Sequence, residues 1–361
     1  MRIHGRHYTT IWTEGKTVMV IDQTRLPHAF VTCSLATLDD ACHAIKSMIV
    51  RGAPLIGITA AYGVWLALQN SPQDTRLDEA LTRLSATRPT AVNLHWALAA
   101  MEKCLRPLPP EHRIAAAFNE AERLAKADIE TCHAIGLHGL GLIRSLHQEK
   151  QRCINILTHC NAGWLATVDW GTALSPIYQA HDAGIPVHVY VDETRPRNQG
   201  ASLTAYELNA HGVPHHILAD NAGGHLMQHG AIDLCIVGAD RVTATGDAAN
   251  KIGTYLKALA AKDNAVPFYF AVPSSTIDWT LTNGIKEIPI EERDSEEVTH
   301  ISGRSETGRI EKLLIASPNS PALNPAFDVT PARLITALIT ERGIVAANRS
   351  ALAALFPELA S

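Results

Sequence analysis

CINILTHCNAG, residues 153–163, begins as an apolar run and ends on a polar cluster and a glycine. Four short apolar runs follow it: VHVYV (187–191), HHILA (215–219), IDLCIVG (232–238) and PFYFAV (267–272). VHVYV, HHILA and PFYFAV are rich in the β-branched and aromatic residues that suit a pleated, half-buried surface. Helix-compatible stretches lie between the runs, at 171–183, 202–211, 222–229 and 248–262. Strands alternating with helices predict right-handed βαβ units and a parallel sheet buried on both faces. The expected fold class is therefore α/β, with a Rossmann-like doubly wound sheet in this half. A closing helix is expected from Thr330-Pro331, a cap followed by proline in the first turn, with Leu334, Ile335, Leu338 and Ile339 facing inward.

Upstream the texture is different. A β-like patch (Tyr8 to Trp12, Thr17 to Asp22) precedes mostly helical patterns. Thr37-Leu38-Asp39-Asp40 resembles a capping box that opens a helix with Ala41, Ile45 and Met48 on one side. Further helices are expected over 54–68, 75–86, 91–104 and 111–146. The apolar stretch Leu55 to Leu68 is 14 residues long. A membrane span needs roughly 18 to 20, so it reads as a buried core helix whose Gly57 and Gly63 permit close helix contact. The polar segment 146–152 marks the expected boundary between a helical domain, 1–146, and a catalytic domain, 147–361.

Composition removes several function classes. Lys plus Arg is 31 and Asp plus Glu is 36, a net charge of −5 with no basic block; this disfavours nucleic-acid binding. Seven scattered cysteines without Cys-x-x-Cys indicate neither a disulfide framework nor a cysteine zinc site, and fit a reducing, cytoplasmic setting. The first residues, MRIHGRHYTT, do not read as a signal peptide. The eighteen histidines show no metal-ligand spacing. No Gly-x-Gly-x-x-Gly follows a strand, and neither a P-loop nor a Gly-x-Ser-x-Gly elbow occurs. The glycines of Gly136-Leu-His-Gly139-Leu-Gly141 read as packing positions.

Open α/β sheets bind ligands beyond the carboxyl ends of their strands, where strand order reverses. With the order 3-2-1-4-5, the first strand's end (Cys160) and the fourth's (Asp240) meet across one crevice. Cys160 is either a site thiol or a small buried hydrophobe. Asp240 follows the apolar IDLCIVGA; partial desolvation would raise its pKa and suit it to general-acid work. Otherwise Arg241 pairs with it, or it caps a turn. Arg51-Gly52-Ala53-Pro54 opens the apolar helix and offers N–H groups and a guanidinium to a phosphate, unless it is an ordinary helix start. Asp247 resembles an N-cap, which would place Asn250 and Lys251 in a first helical turn, where a lysine opposes the dipole. The loop 192–200, containing Gln199, and the loop beginning at Arg88 are either ligand readers or solvated loops.

VRGAPLIGITAAYG (50–63), RPTAVNLHWA (88–97), LTHCNAGWLAT (157–167), DETRPRNQGASLTAYEL (192–208) and VGADRVTATGDAANKIGTY (237–255) together resemble the methylthioribose-1-phosphate isomerase family. That family is similar to the regulatory subunits of the translation initiation exchange factor. The resemblance runs from about residue 8 to 345. It implies a helical domain followed by a Rossmann-like one, a homodimer, no metal or organic cofactor, and a sugar-phosphate substrate. It implies isomerisation of 5-methylthioribose 1-phosphate to 5-methylthioribulose 1-phosphate in methionine salvage. Asp240 matches the family's proton donor and Cys160 its partner at the reacting carbons. Arg51, Gly52, Ala53, Arg88, Gln199, Asn250 and Lys251 match substrate-binding positions. Two other readings stand beside it: an isomerase for a related pentose 1-phosphate such as 5-deoxyribose 1-phosphate, and a non-catalytic sugar-phosphate-sensing subunit.

Overall fold

The computed structural model describes residues 2–3 and 5–360. A seven-stranded sheet organises the second half. Its order is His215–Leu218, Val187–Asp192, Ile154–Thr158, Leu234–Val237, Phe268–Ala271, Ala337–Thr340 and Gly343–Val345. Numbered along the chain, the first five strands read 3-2-1-4-5, and all of their pairings are parallel. Order therefore reverses beside Ile154–Thr158, as the crevice argument requires. The strands alternate between two cores, as a period of two demands. Ile154, Ile156, Leu234 and Ile236 join a cluster on one face, and Leu157, Cys235 and Val237 join a cluster on the other.

The first half buries a third cluster among the helices Leu38–Lys46, Ala53–Leu68, Asp74–Ser85, Val92–Leu105 and Pro110–Lys150. Thr37 and Asp40 form the expected capping box. Ala53–Leu68 is apolar all round and buried everywhere except Pro54, as a helix surrounded by others must be. A side chain at Gly57 would meet the Asn93 carbonyl oxygen at 2.6 Å, so the close helix approach needs a bare α-carbon there. The 41-residue helix Pro110–Lys150 serves two cores. Ala117, Ala121 and Leu124 enter the helical cluster, and Ile135, Leu140 and Ile143 pack on the sheet. Gly136 and Gly139 abut Gln179 and Pro176, which makes them packing glycines.

Three readings of the sequence are corrected. The N-terminal patch is a three-stranded sheet, Ile11–Glu14, Thr17–Ile21 and Thr32–Leu35, one strand more than the β-like patch in the sequence predicts. No single helix covers 248–262. Ala248–Lys251 is a strand, paired antiparallel with Arg241–Thr243 and Phe327–Thr330, and the helix begins at Thr254. Asp247 is thus no N-cap of that helix; its carboxylate accepts from the Gly284 and Ala332 N–H groups. The closing helix from Thr330-Pro331 is also absent. A 3-10 turn, Ala332–Leu334, leads into the strand Ala337–Thr340, parallel to Phe268–Ala271. Leu334, Ile335, Leu338 and Ile339 are buried as expected, the last two in that strand.

Candidate active site

The chain leaves the sheet at Thr158 and turns sharply at Cys160, whose φ of 65° is left-handed. Two threonines hold that turn. The Cys160 N–H donates to Thr194 Oγ1 at 2.8 Å, and Thr204 Oγ1 donates to the Cys160 carbonyl at 2.7 Å. The Cys160 thiol faces Gln199 Oε1 at 3.6 Å. Burial pushes the thiol's pKa up, while the cations of Arg51 and Lys251 pull it down.

Across the crevice, Asp240 follows the fourth strand and donates its N–H to the Ala249 carbonyl at 2.8 Å. Crowding by protein raises the pKa of its carboxyl; Lys251, Arg88 and Arg51 oppose that rise. Arg241 does not pair with it; that guanidinium reaches Asp278 at 3.2 Å and the Thr90 carbonyl at 2.7 Å. Lys251, on the strand Ala248–Lys251, is buried with its ammonium 4.6 Å from the centre of the Phe327 ring. Burial lowers its pKa, and the neighbouring Cys160 and Asp240 raise it. Asn250 beside it donates to Thr254 Oγ1 at 3.0 Å.

The helix start completes the ring. Gly52, with φ of 94°, caps Ala53–Leu68 at its N-terminus. A Cβ on it would lie 2.5 Å from the Ala166 backbone, so a neighbouring loop also imposes glycine here. Arg51 is buried and donates to the side-chain oxygen and, at 2.8 Å, to the carbonyl oxygen of Asn161. Arg88 meets Glu291 at 3.1 Å. Arg51, Gly52, Ala53, Arg88, Cys160, Gln199, Asp240, Asn250 and Lys251 all line one cavity. Folding thus brings together every site residue selected from the sequence, although Asn250 and Lys251 arrive on a strand.

The model of the Initiation factor 2 subunit family matches residues 49–347. A methylthioribose-1-phosphate isomerase of Methylobacterium nodulans is 64% identical over 360 residues, 99% of each chain. This chain belongs to the methylthioribose-1-phosphate isomerase family, within the initiation factor 2 subunit family. Among family members of known structure, 5-methylthioribose 1-phosphate isomerase from Pyrococcus horikoshii OT3 matches with a TM-score of 0.84 at 39% identity. That match covers 98% of this chain and 97% of the other. Translation initiation factor eIF-2B, subunit delta, from A. fulgidus matches with a TM-score of 0.79 at 35% identity, over 97% and 100%.

The site of this family member also contains residues that the sequence reading passed over. His159, fully buried, sets Nδ1 2.8 Å from Asp192 Oδ2 and Nε2 2.8 Å from the Ile252 carbonyl oxygen. It ties the strand end beside Cys160 to the turn after Lys251. A Cβ on Gly253 would sit 3.0 Å from that ring. His159, Asp192 and Asp220 could together approach a metal ion. Lys257, however, already supplies a cation there: its ammonium is 3.2 Å from Asp192 and donates to the Asp220 carbonyl. The loop 192–200 is accordingly a half-buried support rather than a solvated segment.

Proposed function

We propose that this protein is an aldose–ketose isomerase that converts 5-methylthioribose 1-phosphate to 5-methylthioribulose 1-phosphate in methionine salvage. One observation carries the reading: in a chain of the methylthioribose-1-phosphate isomerase family, the Asp240 carboxyl, the Cys160 thiol and the cations of Arg51, Arg88 and Lys251 line one cavity. A phosphate on the anomeric carbon locks the sugar as a ring, so the reaction must open that ring first. Asp240 holds a proton for the ring oxygen, the task of a general acid with a raised pKa. Arg51, Arg88, Gln199, Asn250, Lys251 and the backbone at Gly52 and Ala53 grip the substrate, above all its phosphate. They thereby orient C1 and C2 beside Cys160 while hydrogen moves between them. The enzyme acts as a cytoplasmic homodimer, with residues 1–146 and 147–361 as its two domains. Among the described residues, no helix is long and apolar enough to cross a membrane.

The test is to supply 5-methylthioribose 1-phosphate and 5-deoxyribose 1-phosphate separately and follow ketose formation. A higher kcat/KM for the methylthio sugar is expected. A higher value for the deoxy sugar would reassign the substrate. Binding without turnover of either would turn the reading toward a sensing subunit.

A further inference from the structure

Glu207 lies in the short helix Ala205–His211 and is fully buried beneath the loop that carries Cys160 and Asn161. Its carboxylate accepts four hydrogen bonds. Oε1 receives Asn161 Nδ2 at 2.7 Å and the Leu165 N–H at 3.0 Å. Oε2 receives the Trp164 N–H at 2.8 Å and the Tyr178 hydroxyl at 2.7 Å. Every partner is a donor, which matches an ionised carboxylate with its acceptor positions filled. Burial raises the pKa of Glu207, and these bonds oppose the rise. A Cβ at Gly163 would lie 1.9 Å from Oε2, so the loop runs bare-backed over the carboxylate.

The consequence reaches the cavity through Asn161. An amide side chain can turn either end toward a partner. Glu207 accepts only, so the NH2 of Asn161 must face it, with a second contact to Thr204 Oγ1 at 3.2 Å. The amide oxygen is thereby aimed at Arg51, whose guanidinium also donates to the Asn161 carbonyl at 2.8 Å. A carboxylate, an amide and a guanidinium are linked in series. Negative charge at Glu207 polarises the amide in the sense that holds a cation.

We infer that Glu207 is a positioning residue for the anion grip: acting through Asn161, it fixes the Arg51 guanidinium in the orientation that receives the substrate's phosphate. This rests on the reading of Arg51 given above. Glutamine at 207 would set an NH2 against donors and would let the Asn161 amide reverse. The effect should fall on binding rather than on the chemical step.

The experiment is a double-mutant cycle on the full chain with Glu207→Gln, Arg51→Ala and the pair. It reads kcat, KM for 5-methylthioribose 1-phosphate, and the inhibition constant of inorganic phosphate. Glu207→Gln should raise KM and the phosphate inhibition constant by about tenfold, the scale of one charge-assisted hydrogen bond. Its kcat should stay within about threefold of the parent, the pattern of lost uniform binding. In the Arg51→Ala background, the same change should move KM by less than about twofold, because its route has been removed. An equal rise in both backgrounds, or a loss confined to kcat, would overturn the inference. If Arg51→Ala itself leaves KM unchanged, the reading of Arg51 fails first and takes this one with it. Should Glu207→Gln not fold, Asn161→Ala breaks the same relay and must give the same non-additivity.

Discussion

The two walls of the cavity are built on opposite plans. On the Cys160 wall, polar groups are engaged with one another: Glu207 with four donors, Asn161 with Arg51, Thr194 and Thr204 with the Cys160 backbone. On the opposite wall, among the described residues, neither the Asp240 carboxyl nor the Lys251 ammonium has a side-chain hydrogen bond or ion pair. Their mutual influence is Coulombic, and burial moves both away from their ordinary pKa values, Asp240 up and Lys251 down. Saturated networks hold a geometry. Groups left without hydrogen-bond or ion-pair partners in the protein, Lys251 resting only against the Phe327 ring, keep their charge and protons for a ligand. One wall is therefore the frame and the other the reagent.

The largest effect should come from disabling the reagent wall. Asp240→Asn should lower kcat by about 10² or more, the scale of general-acid catalysis, with KM little changed. The parent enzyme should lose activity as pH rises through the raised pKa of Asp240, because the acid is then spent. That alkaline limb should vanish in the variant; near-parental kcat would remove Asp240 from the chemistry. A smaller effect is expected at its neighbour. Lys251→Ala should raise KM by about tenfold, if the ammonium grips phosphate equally in ground and transition states. Steady-state kinetics decide it, and an unchanged KM would erase the contrast between the walls.

The smallest effect belongs to the frame and bears on stability alone. Asp128 accepts the Val168 N–H at 2.7 Å and so braces the loop that brings Ala166 and Thr167 to the cavity. Burial pushes its pKa up to about 7 from an ordinary 3.8, against the Val168 hydrogen bond, with Asp169 adding to the rise. A native pKa above the unfolded one contributes stability below about pH 4 that is lost as pH rises to about 7. Asp128→Asn should flatten that decline. The expected size is on the order of 2 kcal/mol, below the full linkage value because the residue keeps some exposure. Denaturant melts at pH 5 and pH 8 check it; an unchanged difference between the two would clear Asp128 of the role.

Much of this frame was legible in the sequence, and the exceptions have a common cause. The five apolar runs, the apolar helix after Gly52 and the Thr37 capping box are local signals, and each formed as read. Asp247 to Lys251 departs from its local signal: an aspartate resembling an N-cap points to a first helical turn over the residues after it. Only Arg241–Thr243 and the distant Phe327–Thr330 make it a strand. Thr330-Pro331 carries a helix-start signature, yet pairing with Phe268–Ala271 claims the residues beyond it. Glu207 and His159 read as an ordinary helix position and a strand end. Bare glycines at Gly163 and Gly253 mark where each side chain packs, but they do not name the partner.

The amino-acid order alone thus determined the alternation of strands and helices, and with it the crevice where Cys160 and Asp240 face one another. Periodic burial and chain connectivity leave a doubly wound sheet few other solutions. Tertiary structure alone decided which element delivers Asn250 and Lys251, and that a buried carboxylate orients Arg51 through an amide. Those outcomes depend on pairings across dozens of residues, where a side chain's role is set by what packs against it and not by its neighbours in the chain.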